Sequence, residues 1–371
     1  MKIEELTITN FRNISNLKIN PHTNFNIVIG DNGQGKSNLL EAISCLSLGK
    51  SMKTNTDRHL LKKDEDLFYL KIKALIENNK ELTVEMGYDK ANKKVKVNGL
   101  VQRKLVEFIG NLKVTYFIPE DLSLVKDSPT VRRKFLDTML CQISNRYCIY
   151  LLHYKKILEQ RNKVLKDKPN KYNDILDVLD TQIIEYGTYL WRLRYNAVLK
   201  LKELCPIFFA EITEGNNSIE VSYKTSLKDL TEWSEEDIFS RYSTLLRENR
   251  LIDLERGYST IGPHRDDIVI NIDGMDSKHF ASQGQQRLIA LSLKMSEFKI
   301  MKEATEETPI LLLDDILSEL DEKKIRKLLE FLSQNNLQVF ITTAVDIPLE
   351  GLSYKEWKMS KGTLVSQYEG G

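Results

Sequence analysis

The chain has 371 residues, of which 41% are apolar and 29% charged, and 54 basic against 53 acidic residues give a formal net charge of +1. This length suits two or three domains, or one large α/β unit carrying an insertion, and the balanced charge excludes nucleic-acid binding through a global basic field, so any such contact must come from a local patch. No apolar run approaches the ~20 residues of a membrane span, and the acidic start Met1-Lys2-Ile3-Glu4-Glu5 is no signal peptide, so a cytoplasmic protein with no membrane partner is expected.

Residues 1–30 alternate. Ile3, Leu6, Ile8 and Phe11 predict one strand, Leu17 and Ile19 a second, and Phe25 to Ile29 a third. Arg12 and Asn13 occupy the turn between the first two, where Arg12 is either a solvated turn residue or a neighbour of a bound nucleotide. The third strand runs into Gly30-Asp31-Asn32-Gly33-Gln34-Gly35-Lys36-Ser37, which matches the P-loop pattern G-x-x-x-x-G-K-[ST] and precedes an amphipathic run from Asn38. Glycines let successive backbone N–H groups turn inward around a triphosphate. Lys36 then reaches the β- and γ-phosphates, Ser37 ligates magnesium, and the helix N-terminus adds its positive end. The loop contacts expected for ATP or GTP are Asn32, Gly33, Gly35, Lys36, Ser37 and Asn38.

Gly49 to Lys63 is polar and basic, a loop beside the nucleotide or a surface strip. Residues 69–98 alternate again and turn at Asn98-Gly99, predicting antiparallel strands. Lys90, Lys93, Lys94, Lys96, Arg103 and Lys104 form a basic edge, read first as lysine protection of an edge strand and second as a nucleic-acid patch. After a strand at Val114 to Ile118, closed by Pro119-Glu120-Asp121, helical spacing takes over. Ser128-Pro129 starts a helix that extends to Leu165, and a second long helix, about Ile175 to Leu204, is expected to end at Pro206. A short strand (Ile219 to Tyr223) and a helix (about Ser234 to Arg250) follow. The block therefore reads as a helical insertion at 119–255, between two parts of an α/β domain at 1–118 and 256–371.

In the last part, residues 257–272 return to strands around Gly262-Pro263-His264-Arg265-Asp266-Asp267. Ser282-Gln283-Gly284 leads a helix beginning near Gln285. Ile310 to Leu313 followed by Asp314-Asp315 fits a Walker B strand, with Asp314 on magnesium and Asp315 orienting or deprotonating the attacking water. Val339 to Thr343 is a final core strand, and the tail is assigned no role. Cys45, Cys141, Cys148 and Cys205 have neither disulfide nor zinc spacing and read as reduced core thiols.

Ser282-Gln283-Gly284-Gln285-Gln286 resembles the signature motif of the ATP-binding-cassette superfamily. That resemblance implies that Ser282, Gly284 and Gln285 meet the γ-phosphate of a nucleotide on the opposite subunit, in a head-to-tail dimer formed on ATP. A bare helix cap is the structural alternative. Ser318 to Asp321 resembles the D-loop after Walker B. More narrowly, "NFRN", "GDNGQGKSNLLEAI", "FIPEDLSLVKDSPTVRRKFLD", "YKKILEQRN", "IGPHRDD", "SQGQQR" and "PILLLDDILSELD", in this order over nearly the full length, resemble the RecF family of recombination mediators. The resemblance implies an α/β, ABC/SMC-head-like P-loop ATPase with mixed sheets and an inserted α-helical lobe. It further implies slow ATP hydrolysis coupled to dimerisation and DNA binding, and work with RecR and RecO in placing RecA on gapped DNA during recombinational repair and replication-fork maintenance. It carries Lys36, Ser282 and Asp315 over as catalytic, Ser37 and Asp314 as metal ligands, and Arg12 as a nucleotide contact. Two departures from cassette patterns stand out: Thr342-Thr343-Ala344 where many carry a switch histidine, and no Q-loop glutamine near Pro119. The competing readings are a transporter's nucleotide-binding subunit, which ATP-dependent DNA binding without a membrane partner excludes, and a small-substrate kinase, which phosphoryl transfer to a small acceptor would reveal. Candidate DNA surfaces are the strands around Lys93 to Lys104, Arg132-Arg133-Lys134, and Arg161 to Lys171, whether the DNA is duplex, gapped or a single-stranded junction.

Overall fold

The computed structural model describes residues 1–213, 215, 217–227, 234–335 and 337–370. In chain order the first elements are β1 (Lys2–Phe11), β2 (Ile14–Ile19), β3 (Phe25–Ile29), α1 (Lys36–Leu48), β4 (Phe68–Leu75), β5 (Glu81–Tyr88), β6 (Lys93–Val97), β7 (Leu100–Val101), α2 (Leu105–Phe108) and β8 (Val114–Phe117). Then come α3 (Ser123–Lys126), α4 (Pro129–Ile143), α5 (Asn145–Asp167), α6 (Tyr172–Thr213), β9 (Ile219–Lys224), α7 (Glu235–Glu248), α8 (Arg250–Arg256), β10 (Asp267–Ile272), β11 (Met275–Asp276), α9 (Ser277–Phe280) and α10 (Gln283–Thr305). The chain closes with β12 (Ile310–Asp314), α11 (Glu322–Gln334), β13 (Val339–Thr343), β14 (Tyr354–Ser360) and β15 (Thr363–Gly370).

Two compact units divide the chain. The first comprises Met1–Leu122, Phe208–Asn216 and Ala290–Gly371. It holds an antiparallel sheet ordered β2-β1-β4-β5-β6-β7 and a second sheet ordered β15-β14-β3-β13-β12-β8. In the second sheet β14, β3, β13, β12 and β8 run parallel, with β15 antiparallel at one edge. Parallel strands covered on both faces need near-continuous apolar sequence, and Ile310 to Leu313 are all fully buried. One core joins Ile8, Phe11 and Leu70 of the antiparallel sheet, Leu39 and Ile43 of α1, and Leu312 and Phe340 of the parallel sheet. The basic strand β6 is not an edge: β7 lies outside it, and Lys93 pairs with Asp57 at 2.7 Å.

The second unit comprises Ser123–Ile207 and Asn217–Ile289, and its helices accompany a three-stranded sheet ordered β11-β10-β9. The boundary expected at 255/256 thus falls elsewhere. Residues 256–289 belong to this unit because β10 pairs with β9 from Asp267↔Lys224 to Ile272↔Ile219. The helix expected through Leu165 is broken at Ser144, whose extended backbone ends α4 and whose hydroxyl accepts from Tyr147 N at 3.2 Å to cap α5. Pro206 does not end α6, which continues to Thr213. An internal proline costs ~3 kcal/mol, while burying Phe208, Phe209 and Ile212 beyond it returns about 1.5–3 kcal/mol each.

Candidate nucleotide site

The site in the first unit is built where β3 ends, β12 ends and α1 begins. The loop Gly30–Gly35 turns through left-handed or related backbone at Gly30, Gly33 and Gly35, with φ of 153, 79 and 110°. A side chain at Gly35 would lie 2.6 Å from Asn13 Oδ1, and that same oxygen accepts from Asn38 Nδ2 at 2.9 Å. The "NFRN" turn therefore supports the loop through Asn13. Asp31, Asn32 and Gly33 are exposed, whereas Gly35 and Lys36 are buried. Lys36 Nζ donates to the carbonyls of Gly30 and, at 3.0 Å, Asp31. Its ammonium is thus held over the loop by weakly basic partners that phosphate oxygens can replace.

Asp314 is the convergence point. Its Oδ1 accepts from Ser37 Oγ at 2.6 Å and from Thr342 Oγ1 at 2.8 Å; its Oδ2 accepts from Lys53 Nζ at 3.0 Å and Tyr116 Oη at 3.1 Å. Burial, reinforced by the Asp314 carboxylate, pushes the Tyr116 phenol well above its ordinary pKa, so it remains a donor. A hydroxyl and a carboxylate meeting at one point are hard oxygen donors of the kind magnesium takes, so these residues fit that ion.

Asp315 follows with φ 53°, a left-handed conformation costly for a side-chain-bearing residue. Its N–H is held by Thr342 Oγ1 at 3.0 Å, and its Oδ1 is buried without a protein partner. Such an oxygen is suited to hold a water. Thr342, in the Thr342-Thr343-Ala344 stretch that lacks the switch histidine of many cassette proteins, serves both aspartates.

Arg12 lies on this unit but is committed elsewhere. Its guanidinium grips Glu41 of α1 through Nη2 at 2.7 Å and Nε at 3.0 Å, and Nη1 donates to His59 O at 2.9 Å. Glu41 also accepts from Ser51 Oγ, and Ser51 Oγ accepts from Lys53 N at 2.9 Å. The polar loop after α1 is thereby anchored so that Lys53 reaches Asp314. Tyr116, Lys53 and Glu41 were not singled out from sequence; only the basic character of 49–63 hinted at Lys53.

Ser282, Gly284 and Gln285 lie in the second unit. Ser282 N donates to Gln285 Oε1 at 2.8 Å and Gln285 N to Ser282 Oγ at 3.2 Å, a reciprocal cap at the start of α10. Ser282 and Gly284 are exposed, and nothing lies within 4 Å of where a Gly284 Cβ would stand. The cap and an open helix N-terminus coexist.

Two proposed DNA-facing arginines are instead internal. Arg132 forms a two-pronged pair with Asp267 at 2.7 and 2.9 Å. Arg161 is fully buried between Asp180 at 2.6 Å and Asp253 at 2.7 Å. In the Gly262 to Asp267 segment Gly262, Pro263 and Asp266 are likewise internal, while Arg265 is exposed: Asp266 accepts from Trp191 Nε1 and from Tyr223 Oη at 2.7 Å, and Arg194 donates to Pro263 O at 2.6 Å. His264 is held by Tyr154 Oη at 2.7 Å and Ser259 O at 3.1 Å. Burial pushes its imidazole down to about 4, whereas burial raises the Asp266 carboxyl to about 6. The four cysteines are buried and unbridged. Among the described residues no helix is long and apolar enough to cross a membrane.

A P-loop serine meeting a Walker B aspartate across a parallel sheet, beside an antiparallel sheet and with a helical unit inserted, defines a P-loop nucleotide-binding head of the SMC class. Residues 2–353 match the family described as RecF/RecN/SMC N terminal domain. The chain is 41% identical over 371 residues to the DNA replication and repair protein RecF of Thermoanaerobacter sp. (strain X514), covering 99% of this chain and 100% of that one. It is 38% identical over 373 residues to the protein of the same name from Staphylococcus carnosus (strain TM300), covering 100% and 99%. The chain belongs to the RecF family. A structure of the recombination mediator protein RecF-ATP in the RecFOR pathway superposes with a TM-score of 0.90 at 36% identity, covering 99% of this chain and 97% of that one. The Smc head domain of Pyrococcus furiosus shares the fold, with a TM-score of 0.58 at 17% identity, covering 99% and 96%.

Proposed function

We propose that this protein is an ATP-dependent DNA-binding mediator of recombinational repair, and that ATP works mainly as a dimerisation switch. The observation that carries the nucleotide part is the convergence of Ser37, Lys53, Tyr116 and Thr342 on Asp314 beside the P-loop. Family membership carries the rest. In this reading Lys36 exchanges its loop carbonyls for β- and γ-phosphate oxygens, and the loop N–H groups from Asn32 to Asn38 wrap the triphosphate. Ser37 and Asp314 hold magnesium, which neutralises charge on the β- and γ-phosphates. Asp315, with its unpartnered carboxylate oxygen, orients the attacking water. Ser282, Gly284 and Gln285 meet the γ-phosphate bound by a second copy, giving a head-to-tail dimer. Hydrolysis is slow, since Thr342-Thr343-Ala344 stands where many cassette proteins carry a switch histidine. Arg12 contacts nucleotide only by leaving part of its pairing with Glu41.

The 1–118 and 256–371 segments were expected to form one ATPase lobe. Given the observed units, we assign nucleotide binding to the first unit and the signature motif to the second. DNA contact falls to exposed basic residues, namely Lys94, Arg103, Lys104, Lys134, Lys163, Lys166, Lys168 and Lys171. The resemblance further assigns the protein a cytoplasmic place with RecR and RecO, loading RecA on gapped DNA. The decisive experiment measures binding to duplex, single-stranded and gapped DNA over a salt series, with ATP, ADP or no nucleotide, alongside oligomeric state. Tight, salt-sensitive binding and dimers only with ATP are expected. Equal, negligible DNA binding in every state would overturn the DNA reading.

A further inference from the structure

The β14–β15 hairpin, to which the sequence assigned no role, ends against the P-loop. β14 runs parallel to β3, with Lys358 opposite Ile29, so it reaches the loop at the same level as β3 does. Its turn is Lys361-Gly362, with φ of 47 and 77°, a two-residue connection of the type that keeps paired strands in twist. From that turn Gly362 N donates to Gln34 O at 2.8 Å, and Lys361 N donates to Gln34 Oε1 at 2.7 Å. The approach is close on both sides. A Cβ on Gly362 would stand 2.1 Å from Asn13 O, and one on Gly30 would stand 2.4 Å from Met359 O.

We propose that the hairpin tip is a positioning element of the phosphate site, acting through the Gln34–Gly35 peptide. In a trans peptide the carbonyl of one residue and the N–H of the next point in opposite directions. Binding of Gln34 O by Gly362 therefore aims Gly35 N–H away from the hairpin, toward the concave side of the loop where phosphate oxygens are expected. Asn13 limits movement from the other side, because it abuts both Gly35 and Gly362. Without the tip, the peptide can rotate and the Gly35 donor is lost to the ligand. Gly362 and Lys361 touch no phosphate themselves and act only through this peptide. The inference rests on the reading of residues 30–37 as an ATP site.

The test compares wild type, Gly362→Ala, Gln34→Ala and Gly351→Ala as full chains, by calorimetric ATP and ADP titration and by thermal melting without nucleotide. Gly351 also has a left-handed φ, 76°, but nothing within 4 Å of a Cβ, so it reports backbone strain away from the P-loop. Loss of one aimed donor predicts an ATP Kd raised about 10-fold in Gly362→Ala and about 3-fold in Gln34→Ala, with Gly351→Ala unchanged. ATP affinity at the wild-type level in both Gly362→Ala and Gln34→Ala overturns the proposal while leaving the ATP site intact. If Gly362→Ala does not fold, amide hydrogen exchange on ATP-bound wild type decides instead: a Gly362 N–H that exchanges as fast as an unbonded turn amide overturns the proposal, since Gln34→Ala leaves the Gly362 N–H to Gln34 O bond in place. Absence of ATP binding in wild type overturns the underlying reading and the proposal with it.

Discussion

Arg12 offers a direct separation of structural from ligand-binding roles. Its side chain is 24% exposed, and Glu41 beneath it is 1% exposed. Arg12→Ala removes both guanidinium contacts to Glu41 and the one to His59 O, leaving a buried carboxylate that keeps its contact with Ser51. Breaking a fully buried pair costs about 3–5 kcal/mol, and water reaching the partly open Arg12 side lowers this to about 2–3 kcal/mol. Urea unfolding of nucleotide-free protein should show a lower midpoint at unchanged slope. Glu41→Gln in the Arg12→Ala background should recover part of the loss, because it removes the orphaned charge. A nucleotide-free Arg12→Ala protein as stable as wild type, but with weaker ATP binding, would refute the reasoning and leave Arg12 as a ligand contact alone.

Lys36→Met should abolish ATP-dependent dimers, and sizing chromatography that finds them at wild-type levels would contradict the assigned role. Ser282→Arg should still bind ATP yet stay monomeric; loss of ATP binding itself would point to misfolding or a wrong assignment. The second unit should show opposed pH effects. His264 has a folded pKa of about 4, below its ordinary 6.5, so its contribution to stability is present above pH 6.5 and is lost as pH falls toward 4. Asp266, raised to about 6 from 3.8, binds its proton more tightly when folded, so it adds stability as pH falls through 6 toward 3.8. Asp266→Asn should therefore lose more stability than wild type between pH 7 and 5, and His264→Gln less. Parallel pH profiles for all three proteins in urea titrations would exclude this account.

What could be read from the sequence was what local chemistry fixes. The P-loop is visible because glycine, lysine and serine at set spacing are needed to bend one short backbone segment around phosphate. Walker B is visible because a strand buried on both faces must be continuously apolar until it reaches its aspartates. The reciprocal cap of Ser282 and Gln285 is likewise a local pattern. Helix limits were less legible. Ser144 divides what reads as one helix, and Pro206 lies inside α6 because the burial of Phe208, Phe209 and Ile212 outweighs the lost backbone bond. The unit boundary was missed because pairing of β10 with β9, nearly 50 residues earlier, is not encoded in either strand alone.

Tertiary structure alone decided who completes the site. Tyr116 and Lys53 reach Asp314 across 198 and 261 residues, and Lys361 reaches Gln34 across 327. A tyrosine in a buried strand, a lysine in a polar loop and a lysine in a hairpin turn carry no mark of such partners, since each is an ordinary residue for its local setting. The same holds in reverse for Arg132 and Arg161, which read as surface charge until Asp267, Asp180 and Asp253 are brought beside them. Sequence spacing specifies groups that must act together within one turn of backbone. Parallel strand order, which sets β14 beside β3 and β12 beside β8, specifies the rest.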